Sequence, residues 1–421
     1  MFLLRLRHVV RGGEAGHIGA KVLTGVARCC GSRQRHLSTV AAVLESRAVI
    51  EISGADSKAL LQGLMTNDMS LLDKGKDKLP CISAAFLNPK GRVVGDALVL
   101  RSPRHDAKNK TGYLLDCPVS VAESLKSHLK TYKVRSKAKI KDATSAYDVL
   151  VSGVYDPWEG SSKTGEGVVA NADNLTSRFT DPRSDNLGVR LLRPKNGTGS
   201  SDTSWAGGDE LVSEDRYHAL RMLNGVAEGA ELVDSIPLES NLDLLGSISF
   251  TKGCYVGQEL TARTHFKGFV RKRILPVLFP RLEFPFLLSP IQSAASIFSD
   301  AREGEGLERS MWGPGVTPPA PGSHVIDGVT GDKKGSLVAL SPVYNVGLAR
   351  LRLGKIMPPM ENFDPFAMTV TPGKHMEDVG PVPDCRILGC EFDGETPRSC
   401  LPVTPPWWPV DLDPTTGKIS A

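Results

Sequence analysis

The chain has 421 residues, of which 40% are hydrophobic and 23% are charged, an ordinary composition for a globular protein of two or three domains. Its net charge of +4 is concentrated at one end, because residues 1–38 contain seven of the 51 basic side chains but one of the 47 acidic ones. The remaining 44 basic and 46 acidic residues nearly balance, which excludes the charge footprint of a nucleic-acid-binding protein. No apolar run approaches the roughly 18–20 residues that span a bilayer, so we expect no membrane span.

Residues 1–38 have the composition of a mitochondrial transit peptide. They are rich in arginine and nearly free of acids, and in their first turns apolar residues and arginines are interspersed as in an amphipathic helix. Their longest apolar run is too short for a secretory signal. We therefore predict import into the mitochondrial matrix with maturation near Ser38, and in that reducing compartment we expect the remaining cysteines to be free thiols.

The rest of the chain predicts a mixture of strands and helices. Alternation and β-branched content predict strands at residues 43–52, 81–87, 93–100, 113–116 and 335–352. Apolar spacing of three and four residues predicts helices at 57–65, 119–130 and 213–224, the last capped by Ser213. The turn residues 88–91 should join two of the strands into a hairpin. Because these elements lack βαβ regularity, an α+β fold is favoured.

Common catalytic motifs are missing from the sequence, including the phosphate-binding loop, the dinucleotide-binding fingerprint, the zinc-peptidase helix and the nucleophile elbow. The block that attracts attention instead surrounds Cys254. Gly253 and Gly257 flank it, so the backbone can turn sharply and hold the thiol at an accessible point. Lys252 and Arg263 supply positive charge nearby, which favours the thiolate, the form that acts as nucleophile and metal ligand.

The same block has a plainer interpretation, since a free cysteine in a tight turn is most often a small buried hydrophobe. Gln258 and Glu259 can start a helix immediately after the turn, because an acid favours the first helical turn. Local residues alone leave the functional and structural interpretations open.

The string Lys-Gly-Cys-Tyr-x-Gly-Gln-Glu at residues 252–259 resembles the signature of YgfZ-type folate-binding proteins, which are relatives of the aminomethyltransferase of glycine cleavage. The signature residues are Lys252, Gly253, Cys254, Tyr255, Gly257, Gln258 and Glu259. Other segments resemble the family in order, at 54–56, 61–68, 86–92, 181–183, 187–190, 217–228 and 237–242. With the transit peptide in front, the chain resembles the mitochondrial iron–sulfur cluster assembly branch of this YgfZ/GcvT-like family.

This resemblance implies a GcvT-like folate-binding fold, in which α+β lobes surround a central opening and a small C-terminal β-barrel follows. It divides the chain into five parts: a transit peptide at 1–38, a folate-binding region at 39–277, a Pro/Ser/Gly-rich insertion at 278–325, a barrel portion at 326–356 and a Pro-rich tail at 357–421. We expect part of the insertion to be disordered.

The implied function is late iron–sulfur cluster assembly that matures [4Fe–4S] proteins of the aconitase and radical-SAM types, with A-type cluster carriers and apo target proteins as partners. Cys254 is then the candidate thiolate, assisted by Lys252 and Arg263. A [4Fe–4S] cluster takes four thiolates, so Cys254 would be a shared or transient ligand, and no tightly bound metal is expected. The resemblance favours an assembly factor over a turnover enzyme.

Tetrahydrofolate is the implied cofactor, with Asp96, Arg221 and Tyr255 as candidate binding residues. A folate-dependent one-carbon transferase is the first alternative, but glycine at 95 replaces one of the family's paired acids, and Leu223 occupies the place of another acid. A partner-docking module without ligand is the second alternative. In that case the Trp-Trp pair at residues 407–408 of the tail would bind the partner. The other interpretation of this pair is that it covers an apolar patch of its own domain.

Overall fold

A computed structural model of the chain describes residues 40–73, 79–106, 111–154, 176–195, 204–206, 210–279, 318–327, 331–344, 346–355, 388–390, 398–402 and nine positions between 405 and 419. These residues belong to one compact unit, Thr39–Ala421. The predicted transit peptide lies outside the described residues, as do residues 280–317 of the predicted insertion.

The described elements confirm the predicted mixture of strands and helices. The strands are β1 Val40–Val43, β2 Arg47–Ser53, β3 Cys81–Leu87, β4 Val93–Arg101, β5 Gly112–Pro118, β6 Lys139–Asp142, β7 Tyr147–Val154, β8 Ser177–Thr180, β9 Val189–Pro194, β10 Glu210–Leu211, β11 Lys272–Leu278, β12 His324–Asp327, β13 Lys333–Leu340, β14 Val346–Arg352, β15 Leu388–Cys390 and β16 Arg398–Pro402. The α-helices are α1 Ser57–Leu64, α2 Pro103–Asp106, α3 Val119–Lys133, α4 Glu214–Leu223 and α5 Gln258–Phe266.

Two five-stranded sheets form the first part of the molecule. The first sheet has the strand order β3-β4-β5-β2-β6 and the second sheet has the order β10-β1-β7-β9-β8. All neighbours are antiparallel except β1 and β10. The predicted hairpin is confirmed as β3 and β4, and the Asn88 side chain closes its turn by accepting from the backbone N–H groups of Lys90 and Arg92.

The strand predicted over residues 43–52 is confirmed from Arg47 onward as β2, but its start is wrong, because the chain changes sheets between Val43 and Arg47. β1 pairs with β7 in the second sheet, whereas β2 pairs with β5 in the first. At the bend, the Glu214 carboxylate accepts from the backbone N–H groups of Glu45 and Ser46. These amides are therefore satisfied by a distant side chain, which strand periodicity does not reveal.

α1 and α3 cover one face of the first sheet. Leu61 of α1 and Leu125 of α3 belong to one buried apolar cluster with Ile50 of β2 and Phe86 of β3. The second large cluster joins both sheets to α4 and β14. Ser213 stands at the N-terminus of α4 as predicted, but its side chain makes no capping hydrogen bond.

Six strands close into a barrel in the order β11-β14-β13-β12-β15-β16, which confirms the expected C-terminal β-barrel. Its limits differ from the expected 326–356. β11 comes from the end of the expected folate-binding region, and β15 and β16 come from the expected tail. The tail strands are needed because β16 pairs with β11 and β15 pairs with β12, so they supply the remaining ladder hydrogen bonds of the ring.

The Trp-Trp pair of the tail packs on its own domain. The indole N–H of Trp407 donates to the backbone oxygen of Asn224 at 2.7 Å, and its ring packs against a cluster that includes Val226. Trp408 packs against the apolar interior of the barrel. Of the two alternatives for this pair, the structure therefore favours coverage of an apolar patch of the same domain. None of the described helices combines the length and apolarity needed to cross a membrane.

Candidate functional site

The signature loop, residues 249–257, is seated on the end of α1. The ammonium of Lys252 donates to three backbone oxygens there, those of Gln62 and Met65 at 2.7 Å and that of Asn67 at 2.8 Å. The last carbonyls of a helix have no partner within the helix, and an ammonium has three protons to donate. Burial lowers the pKa of Lys252 to about 8. Lys252 therefore anchors the loop, a different task from the charge beside the thiol that the sequence predicted.

Cys254 lies on the outer side of this loop and is exposed. The other described free cysteines, Cys81, Cys117 and Cys400, are buried. Burial raises the pKa of Cys117 to about 12, which makes its thiolate inaccessible at physiological pH. Cys254 is thus the exposed one of the four cysteines whose side chains the structure describes. Among the described residues, no group of three or more His, Cys, Asp or Glu side chains is arranged to hold a metal ion.

Gly257 fixes the loop against the β3–β4 hairpin. It caps the N-terminus of α5 with a φ of +79°, and a Cβ atom there would lie 2.7 Å from Cβ of Leu87. Gly91 at the hairpin tip has a φ of +76°, and its Cβ would lie 2.6 Å from Cβ of Leu260. Each position therefore requires glycine both for its backbone conformation and for the close approach. Gly253, by contrast, faces open space and has no positive φ, so geometry does not require glycine there.

The helix that follows the loop starts at Gln258, as predicted. Its first turn borders an open pocket of about 580 Å³. The pocket is lined by Pro89, Tyr132, Tyr255, Val256, Gly257, Gln258, Glu259 and Ala262. Arg263 is exposed on α5 and, among the described contacts, makes no hydrogen bond or ion pair with Cys254. The structure thus separates the three residues proposed for the chemistry into an exposed thiol, a buried anchor and a surface arginine.

A buried ion-pair network joins the two sheets to α4, and Glu228 stands at its centre. Its carboxylate pairs with Arg47 of β2 at 3.2 Å, with Arg221 of α4 at 3.6 Å, and with Arg183 through a short hydrogen bond. All four side chains are nearly inaccessible to solvent. Burial opposes ionisation of Glu228, but the three guanidinium charges outweigh it and hold its pKa well below the ordinary value.

The network continues through Asp116, Asp181 and Arg190. Asp116 of β5 accepts from Arg47 at 2.6 Å, and Asp181 accepts two hydrogen bonds from the Arg183 side chain. Arg190 of β9 contacts both carboxylates and donates to the Tyr217 hydroxyl at 2.6 Å. Arg221 also binds Glu231 through two hydrogen bonds of 2.8 Å. The charges are therefore paired, as buried charges must be.

The network described above contains four arginines and four carboxylates, and Asp96 is a fifth carboxylate beside it. It is 6% exposed and accepts from the backbone N–H of Gly229 at 2.8 Å. Burial, together with the negative charge of Glu228, raises the pKa of Asp96 to about 6. A titratable carboxyl with such a shift is a candidate functional group.

The structure brings two of the three candidate folate-binding residues together. Asp96 accepts from Gly229, the residue after Glu228, and Arg221 pairs with Glu228 itself. Tyr255, by contrast, packs in the apolar core, and its ring centroid lies 5.0 Å from the Lys252 ammonium. The two departures from the transferase pattern are also explained. A Cβ at Gly95 would lie 3.2 Å from Val121 of α3, and Leu223 is fully buried in the core. Both positions thus contact apolar surroundings.

Sequence reasoning missed Arg47 and Asp116 as members of the network. Each is a charged residue in a strand whose other residues are mostly apolar and buried. That pattern is a signal, because charged residues are almost never fully buried without partners. The sequence does not show, however, that Arg47 and Asp116 pair with each other, because 69 residues separate them in the chain.

The anchoring role of Lys252 can be tested by Lys252→Met. This change keeps the apolar stem but leaves three carbonyl oxygens without a donor, so we expect the free energy of unfolding to fall by about 2–4 kcal/mol. Urea denaturation measures it. The exposed Arg263→Met is the matched control and should change stability by less than about 0.5 kcal/mol. Equal stability of Lys252→Met and the native protein would remove the anchoring role.

The pKa of Asp96 predicts a pH dependence of stability. Its folded pKa of about 6 lies above the ordinary 3.8, so the folded state binds the proton more tightly. The resulting stabilisation is complete below about pH 4 and is lost as the pH rises through 6. Asp96→Asn removes the charge but keeps an acceptor for Gly229. Above about pH 7 we expect this variant to be more stable than the native protein by on the order of 2–3 kcal/mol, a difference that shrinks toward pH 4.

A carboxylate with the opposite shift provides the control. A hydrogen bond from Lys126 lowers the pKa of Asp142 to about 2, so its stabilisation is present above the ordinary pKa and lost as the pH falls. Asp142→Asn should therefore be less stable than the native protein at neutral pH. Denaturation of both variants across pH checks the two signs, and a pH-independent difference for Asp96→Asn would contradict the assignment.

Comparison with known proteins supports the same family. No protein-family model matches the chain. It is 32% identical over 379 residues to a protein of Mycosarcoma maydis, with 87% of this chain and 84% of that protein covered. It is 33% identical over 339 residues to a protein of Neosartorya fischeri, with 74% and 69% covered. A third relative, from Dictyostelium discoideum, is 33% identical over 267 residues, with 56% and 61% covered.

All three relatives carry the name iron-sulfur cluster assembly factor IBA57 homolog, mitochondrial. Among solved structures, the chain is similar to the glycine cleavage system aminomethyltransferase T from Bartonella henselae, with a TM-score of 0.56, 11% identity, and 88% of this chain and 87% of that chain covered. That likeness establishes the GcvT-like fold. On the sequence relationship, the chain belongs to the family of mitochondrial iron–sulfur cluster assembly factors named IBA57.

Proposed function

We propose that this protein acts in the mitochondrial matrix in the late stage of iron–sulfur cluster assembly. The names of its relatives support the process and the organelle. The transit-peptide composition of residues 1–38 supports import. The targets we propose are [4Fe–4S] proteins of the aconitase type and of the radical-SAM type, such as a lipoate synthase.

The observation that carries the proposal is the exposed thiol of Cys254 on an anchored loop. A [4Fe–4S] cluster takes four thiolates, and the other three cysteines whose side chains the structure describes, Cys81, Cys117 and Cys400, are buried. In this proposal Cys254 supplies one ligand to a cluster whose remaining ligands belong to another protein. An A-type cluster carrier, which delivers the cluster as cargo, is the partner we propose, followed by the apo target protein.

The anchored loop suits this transient task. Lys252 and the backbone N–H of Val256, which donates to Gly63 at 3.0 Å, hold the loop on α1. The thiol is then presented without the cost of ordering a flexible segment during each encounter. Presenting a thiol to a partner protein needs no turnover of a small substrate, which is why we place the protein among assembly factors.

The test is Cys254→Ser in cells that lack the native protein, with aconitase activity and protein lipoylation as measurements. We expect both to stay near the level of cells without the protein, because a serine hydroxyl is a poor ligand for iron–sulfur clusters. Thr251→Ala, an exposed change on the same loop, is the matched control and should restore both. Full restoration by Cys254→Ser at equal protein abundance would exclude the thiol from the function.

A second candidate function is folate-dependent one-carbon transfer, and one observation favours it. Asp96 is a nearly buried carboxyl with a pKa of about 6, and such a shifted carboxyl is a candidate ligand-binding group. The apolar surroundings of Gly95 and Leu223 argue against the transferase step itself. Tetrahydrofolate binding without turnover is the form of this candidate that we retain.

Calorimetry with tetrahydrofolate tests this candidate. We expect binding in the micromolar range that Asp96→Asn weakens by about tenfold, because a charged hydrogen-bond acceptor is lost. Asp142→Asn, at an exposed position, should bind as the native protein does. Absence of binding at high micromolar ligand would leave cluster assembly as the sole function proposed.

A further inference from the structure

Two phenylalanines are exposed, one at the last residue of α5 and the other three residues beyond it. Phe266 is 64% exposed and Phe269 is 57% exposed, and they are the aromatic members of the exposed large hydrophobic residues in the described chain. Phe266 is held by edge-on contacts with the His265 ring at 4.8 Å and the Phe250 ring at 6.2 Å. Exposed aromatic groups that are fixed in this way are typical of protein interfaces.

The charges around these rings have one dominant sign. Arg263, Lys267 and Arg271 are exposed, and among the described residues none of the three takes part in an ion pair. One acid, Glu259, lies on the same face of α5, four residues before Arg263. We call the five side chains Arg263, Phe266, Lys267, Phe269 and Arg271 the α5 surface. Its positive rim complements an acidic partner.

Cys254 lies on a loop that both ends of α5 hold beside the helix. Phe250 stacks on His265 in the last turn of α5 at 3.6 Å, whereas Gly257 caps its first turn. Residues 250–257 therefore run back along the helix, whose nine residues span about 13 Å. Cys254 lies on this run, so a protein of ordinary size that covers the exposed rings also reaches the thiol.

We infer that the α5 surface is the docking face for an acidic protein whose own thiolates share a cluster with Cys254. The inference rests on the proposed function and specifies the chemistry of its partner. The exposed phenylalanines bind an apolar patch of that protein, and the three cations bind carboxylates around it. Five side chains make a small interface, which fits a complex that must dissociate after each transfer.

A membrane surface is the other kind of partner that a basic aromatic patch can bind. One feature favours a protein, because the neighbouring thiol can serve as a shared ligand only if the other ligands come from a polypeptide. Vesicles of phosphatidylcholine and cardiolipin therefore serve as a separate arm of the test.

The test measures the affinity of the full-length mature protein for a purified apo A-type cluster carrier. We expect the double variant Phe266→Ser/Phe269→Ser to bind at least about tenfold more weakly, since buried aromatic anchors dominate interface energy. Lys267→Glu/Arg271→Glu should weaken binding and also flatten its dependence on salt. The matched controls are Val119→Ser/Val233→Ser, which are about as exposed, and Lys130→Glu/Lys139→Glu, and both should bind as the native protein does.

The outcomes separate docking from ligation. Cys254→Ser should keep its affinity for the apo carrier within about twofold while failing to restore aconitase, because docking does not need the thiol. Carrier binding by Phe266→Ser/Phe269→Ser equal to that of the native protein would overturn the inference, as would native binding to the vesicles but not to the carrier. Restoration of aconitase by Cys254→Ser with weakened binding of the phenylalanine variant would instead overturn the proposed function and leave the docking face in place.

Discussion

The buried carboxylate of Glu228 connects the elements of the first two thirds of the chain. Its carboxylate meets Arg47 from the first sheet, Arg183 from the loop after β8, and Arg221 from α4. No two of these elements are neighbours in a sheet, so the carboxylate connects parts that ladder hydrogen bonds leave separate. Buried charges of this kind stabilise only as a complete set, because removal of one leaves the others unpaired in a medium that solvates them poorly. The relative placement of the two sheets thus depends on a network rather than on apolar packing alone.

The same network decides what the interior of this fold can do. The GcvT-like fold is shared with an aminomethyltransferase, but a fold does not determine a reaction. Here four arginines and four carboxylates bind one another, and Asp96 is the carboxyl left with a raised pKa. Gly95 and Leu223 contact apolar side chains where the transferase pattern has acids. The arginines of the interior are therefore already paired, whereas the exposed thiol of Cys254 lies at the surface.

That surface chemistry depends on how the signature loop is held. Lys252 binds the open end of α1, and Gly257 packs against the β3–β4 hairpin at a distance that no side chain permits. The loop is thus fixed on two sides, and Cys254 is directed to solvent on the third. A thiol that is both accessible and fixed suits the transfer of a cluster between proteins, since its ligand geometry is set before the partner arrives.

Several features followed from the sequence alone. The hairpin, the three main helices, the start of α5 at Gln258 and the α+β class depend on local periodicity and turn chemistry, which act over a few residues. The family followed from the eight-residue signature at residues 252–259. Tertiary structure decided the rest. The strand break at residues 44–46 depends on Glu214, and the closure of the barrel depends on strands more than 100 residues from β11.

Local features could be predicted from the sequence and long-range pairings could not, for a physical reason that Lys252 illustrates. Its position beside Cys254 in sequence suggested that its charge acts on the thiol, but its ammonium donates to backbone oxygens at the end of α1, almost 190 residues earlier. Sequence determined which groups need partners: a buried lysine, a charged residue in an apolar strand, an exposed thiol. Only the tertiary structure decided which partners they have, because the pairing of charges and carbonyls is set by distances in space that sequence separation does not record.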